Sequence, residues 1–100
     1  MQVSFHEDPV NVASLCADLN QYGIVYWHTT RPNFENIQNQ VEAQGIELIS
    51  LCAKPGGDFL NFMIRADLVE DSPKAIEERV ARAILQWEAA GEPTPHQVPI

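Results

Sequence analysis

Positive charge is what this sequence has least of. Six Lys and Arg stand against fourteen Asp and Glu, a formal net charge of -8, and no Lys or Arg precedes Arg31. Neutralising phosphates with basic side chains supplies most nucleic-acid affinity, so direct binding to DNA or RNA is not expected. The same scarcity leaves residues 1–30 without the basic n-region of a secretory signal, and no apolar h-region is there either. Long hydrophobic runs are missing as well: the longest uncharged run, Leu19 to Thr30, is too short and too polar to cross a bilayer. A soluble, cytoplasmic protein without membrane association is the expectation.

Cysteine is almost as scarce. Cys16 and Cys52 are too few and too far apart for a disulfide framework, and in a reducing compartment they read as buried thiols. His6, His28 and His96 occur singly, with neither Cys-x-x-Cys nor His-x-x-x-His spacing, so no metal site and no cofactor are expected. A phosphate-cradling loop is lacking too. Lys54-Pro55-Gly56-Gly57 has no Gly-x-x-x-x-Gly-Lys-Ser/Thr spacing and precedes a strand, which makes it a hairpin turn.

What is present suits one domain: 100 residues, 45% of them hydrophobic, can bury a real core. Gln2 to Phe5 reads as a short edge strand. Asp8-Pro9 supplies a helix start, and Val12, Leu15, Cys16, Leu19 and Tyr22 recur at spacings of three and four to form one stripe, ended at Gly23. Ile24 to His28 is β-branched and aromatic, apolar on both faces, and therefore a buried strand. Asn33 to Gln44 places Phe34, Ile37 and Val41 on one helical face. Ile46 to Ala53 and Phe59 to Leu68 are strands joined through Lys54 to Asp58; in the second, Leu60, Phe62, Ile64, Ala66 and Leu68 alternate with Asn61, Met63, Arg65 and Asp67, giving a core face and a half-polar one. Ser72-Pro73 starts the longest helix, whose stripe is Ile76, Val80, Ala83, Ile84 and Trp87, with Glu78 and Arg82 spaced as a solvated pair. Residues 1–91 are thus the domain. Residues 92–100, with Pro93, Pro95 and Pro99, form a tail that is neither helix nor central strand, either mobile or laid along the surface through Val98 and Ile100, and removing Pro95 to Ile100 is expected to change stability little.

The order (β)αβαββα describes a small α/β (α+β) sandwich with a mixed three- or four-stranded sheet covered by helices. That order resembles the thioredoxin-like fold over nearly the whole chain. The family's redox pair would open the first helix, where this sequence has His6-Glu7-Asp8-Pro9, and no proline precedes the third strand at Gly45-Ile46. The resemblance implies an architecture and carries no thiol redox activity with it.

Two places invite a functional reading. His28, Thr29, Thr30 and Arg31 fall where a strand hands over to a helix, and free amides beside an Arg attract anions. The plainer alternative is that Thr30 caps the helix, Pro32 lies in its first turn and His28 fills the strand end. Asp67, Glu70, Asp71, Glu77 and Glu78 gather near the start of the last helix, where they could hold a cation, touch a basic partner or simply complement the helix's positive end. With no catalytic motif in view, the leading expectation is a small acidic protein-binding module, not an enzyme. It would block a partner's basic surface as an inhibitor, immunity protein or antitoxin does. A small-molecule enzyme or ligand-binding domain using the His28–Arg31 junction is the alternative, and a self-associating homo-oligomer is a third reading.

Overall fold

The structure is a computed structural model that describes residues 1–51, 61–68, 72–93 and 96–99. Along the chain come β1 (Gln2–His6), α1 (Val12–Gln21), β2 (Gly23–Trp27), α2 (Arg31–Glu42), β3 (Leu48–Leu51), β4 (Phe62–Arg65), a 3-10 turn (Ala66–Leu68), α3 (Pro73–Ala89) and β5 (His96–Pro99). The strands form one mixed sheet in the order β3-β4-β2-β1-β5. β1 and β2 are parallel, β4 is antiparallel to both β2 and β3, and β5 is antiparallel to β1. β2 and β3 are therefore parallel, as the α2 crossover requires.

Local chemistry accounts for the helix starts. The side chains of Asn11, Thr30 and Ser72 accept the backbone N–H of Ser14, Asn33 and Ala75, satisfying amides that a helix leaves unpaired. α1 accordingly begins at Val12 and not at Asp8-Pro9. Asp8 and Asn11 are both competent caps, and sequence alone does not say which one the approach to the sheet will use. At the other end of α3, Gly91 at φ +89° turns the chain back, and Glu92 follows at φ +54°.

Two cores flank the sheet. Ile76, Val80, Ala83, Ile84 and Trp87 of α3 cover Val3, Phe5, Ile24, Tyr26, Phe62, Ile64 and Val98. On the opposite face Leu15 and Leu19 of α1 and Phe34, Ile37 and Val41 of α2 cover Val25, Trp27 and Met63. β2 serves both cores, and all five of its residues are buried, as its two-sided apolar pattern predicts. Met63 is fully buried, so the face of β4 expected to be half-polar is covered by α1 and α2.

The sheet has five strands where three or four were expected. His96–Pro99 pairs with β1, which makes β1 an interior strand and moves the edge outward to β5. Proline is compatible with this because an edge strand can lose a backbone donor on its unpaired side, and Val98 contributes to the α3 core. Among the described residues no helix is long and apolar enough to cross a membrane. Cys52, the Lys54–Asp58 turn, Glu70 and Asp71 lie outside the described residues.

Candidate functional site at the ends of strands β1 and β2

Parallel pairing in the register His6↔Trp27 sets the carboxyl ends of β1 and β2 side by side, with His28 next along the chain. The crevice beyond such ends is where open α/β sheets commonly hold ligands. In β1, Val3 and Phe5 enter the α3 core, so Ser4 and His6 face the other way, toward α1. There Asp18 of α1 meets both: its Oδ2 accepts from Ser4 Oγ at 2.6 Å and from His6 Nε2 at 2.8 Å. An ionised carboxylate can only accept, so His6 carries a proton on Nε2. Ser4 Oγ, 3.3 Å from that nitrogen and 2% exposed, has no basic nitrogen facing it. The trio therefore ties β1 to α1 and is not the relay of a serine nucleophile, which needs an imidazole lone pair at the hydroxyl.

His28 projects on the α3 side. Its ring stacks on Trp87 with centroids 5.4 Å apart and an interplanar angle of 28°. Its Nε2 donates to Glu92 Oε1 at 2.6 Å, and the Tyr26 hydroxyl stands 3.5 Å from its Nδ1, the outer limit of a hydrogen bond. Glu92 is held by its surroundings: its N–H donates to Trp87 O, while Trp87 Nε1 donates to Pro93 O at 2.9 Å. The Tyr26 phenol is pushed up to about 12, first by burial and then by the carboxylates of Glu88 and Glu92.

His6, Glu7, Asp8, His28, Trp87 and Glu92 line one pocket of about 130 Å³ at this end of the sheet. Three of these residues are carboxylates, two are histidines, and none is Lys or Arg. Among the described residues no three His, Cys, Asp or Glu side chains gather closely enough to hold a metal ion. Carboxylates around a concave wall backed by the buried ring of Trp87 concentrate negative potential there.

The four residues of the strand-to-helix junction have separate tasks. Thr30 Oγ1 accepts the Asn33 N–H as the α2 cap, and Thr29 Oγ1 accepts from Asn33 Nδ2 at 2.6 Å. Arg31 is the first residue of α2 and has an interaction of its own. His28 turns away from them to Glu92. Asn61 Nδ2 fixes the junction by donating to the carbonyls of Trp27 and Thr29 at 3.3 and 3.0 Å. Of the acidic group near α3, Asp67 is paired with Arg65, and Glu77 and Glu78 lie in the first half of the helix, half-buried and exposed.

Sequence reasoning did not single out Ser4, His6, Asp18 or Glu92. One signal was available: Ser4 and His6 alternate with Val3 and Phe5, so a polar pair faces a helix and needs a polar partner there. Nothing comparable marks Glu92. The Cys16 thiol is half-buried in α1, and burial pushes its pKa up, which keeps it protonated. Set against known protein families, curated proteins and solved structures, the chain matches none.

Proposed function

We propose that this chain is an acidic protein-binding module that takes a cationic side chain of a partner's basic surface into the mouth between β1 and β2. The observation that supports this reading is the convergence of Glu7, Asp8 and Glu92 on one pocket whose lining holds no Lys or Arg. A guanidinium entering there meets carboxylates at the rim and the half-exposed ring of His28 beside them, and Arg suits both because its planar fork pairs with carboxylates and stacks on rings. The net charge of -8 adds long-range steering toward a positive surface. Acting so, the module would block the partner's basic groove in the manner of an inhibitor, immunity protein or antitoxin.

Titration with the amidated peptide Gly-Arg-Gly-Arg-Gly, followed by the nuclear resonances of His28 and Glu92, tests the reading. Saturable shifts that weaken with salt and vanish in Glu7→Lys/Asp8→Lys are expected, whereas Glu77→Lys/Glu78→Lys should bind nearly as wild type does. Absence of saturable binding, or binding indifferent to Glu7 and Asp8, would overturn it.

A further inference from the structure

The flank of α3 next to β5 carries the opposite charge. Arg79, Arg82, Ala83 and Gln86 line a groove of about 300 Å³ with Val98 and Pro99 of β5. Only six basic residues occur in the chain, yet two of them share this wall. Glu78 stands four residues before Arg82, in the order that favours a helical pair. Contacts between basic and acidic side chains are found for His6–Asp18, His28–Glu92 and Arg65–Asp67 among the described residues, and none joins Glu78 to Arg82. Arg79 is already engaged; Arg82, exposed and not joined to Glu78, is the guanidinium turned to the groove.

Beside that wall runs a sheet edge. β5 is the last strand in the sheet order and pairs with β1 alone among the described residues. An unpaired strand edge presents a row of backbone donors and acceptors that an extended segment can complete. Val98 is buried toward α3, and side chains alternate along a strand, so in an added strand every second side chain would face the arginine wall. Pro99 offers no N–H, which leaves its carbonyl and the residues before it for pairing.

We propose that the outer edge of β5, flanked by Arg79 and Arg82, binds an extended acidic segment of a partner protein as a sixth strand, with alternate carboxylates on the guanidinium side. The groove shares no lining residue with the mouth, so this proposal stands or falls independently of the cationic ligand proposed above.

The probe is the capped hexapeptide acetyl-Glu-Val-Glu-Val-Glu-Val-amide, titrated into the full chain while backbone amide resonances are followed. Saturable shifts at Gln97 and Val98, a dissociation constant raised about tenfold or more by Arg82→Glu, and no such shifts with the Lys-Val counterpart are expected. Arg82 is exposed, so the variant should keep its urea midpoint and report on binding alone. Shifts confined to the residues of the mouth, equal binding of the Lys-Val peptide, or an Arg82→Glu variant that binds like wild type would each overturn the proposal.

Discussion

His28 Nε2 and Glu92 Oε1 lie 2.6 Å apart although 64 positions of sequence separate them. The contact joins the end of β2 to the turn after α3, and Glu92 makes it from a left-handed backbone, φ +54°. Holding an L-residue there costs about 1 to 2 kcal/mol, more than an exposed ion pair usually returns, about 1 kcal/mol or less. Glu92→Gly relieves the backbone cost and gives up the pair, while glycine adds about 0.5 to 1 kcal/mol of unfolded-state entropy. Its stability should stay within about 1 kcal/mol of wild type by urea denaturation, and its affinity for the arginine peptide should fall. That separation distinguishes a carboxylate placed for binding from one placed for folding.

Asp18→Ala tests the tie between β1 and α1. It strands the Ser4 hydroxyl, which is 2% exposed, and leaving a buried donor without an acceptor costs about 1 to 3 kcal/mol. Adding Ser4→Ala to Asp18→Ala should recover part of that loss, because the unmet donor is then gone. His6, half-exposed, can turn to water. Urea midpoints of the two single variants and the double variant measure the coupling.

Tyr26 gives a pH dependence with a definite sign. Its folded pKa of about 12 lies above the ordinary value of 10, so between these the folded state holds a proton that the unfolded state has lost. The stability linked to Tyr26 is complete below pH 10 and is lost as pH rises through about 12. Phenolate absorbance in a Tyr22→Phe background should show one late titration, and in Tyr26→Phe the alkaline loss of stability between those values should be smaller.

Trp87 and the last strand rank the elements. Trp87 is 1% exposed, stacks on Phe5 with centroids 4.5 Å apart and packs edge-on against Tyr26. Trp87→Ala should cost about 3 to 5 kcal/mol, while Trp87→Phe, which keeps a ring and loses the bond to Pro93, should cost less. Stopping the chain at Pro95 should also destabilise it, where the sequence alone suggests little change, because burial of Val98 is worth about 2 kcal/mol and β1 would lose a partner. Thermal or urea unfolding of the three variants gives the order.

The fold was legible wherever one residue pattern carried the information. Ile24 to His28 reads as a two-sided strand, and β2 covers Gly23–Trp27; the spacing from Ile76 to Trp87 reads as one face of a helix, and α3 holds it. β5 was hidden because Pro95 and Pro99 argue against a strand unless the strand is known to lie at an edge, and strand order is a tertiary fact. Met63 looked half-exposed because its polar neighbours, Asn61 and Arg65, share its alternation; the helices that cover it are contributed from elsewhere in the chain. The mouth was illegible for the same reason. His6 meets a carboxylate twelve positions away and His28 one at sixty-four, and neither spacing is periodic in a helix or a strand.

The pairing of β1 with β5 sets Gln2 opposite Pro99, at the end of β1 farthest from His6. Gln2 and Pro99 are thus neighbours at the pole opposite the mouth. A label carried by either residue would stand at that far pole, with the carboxylates of Glu7, Asp8 and Glu92 still facing the solution.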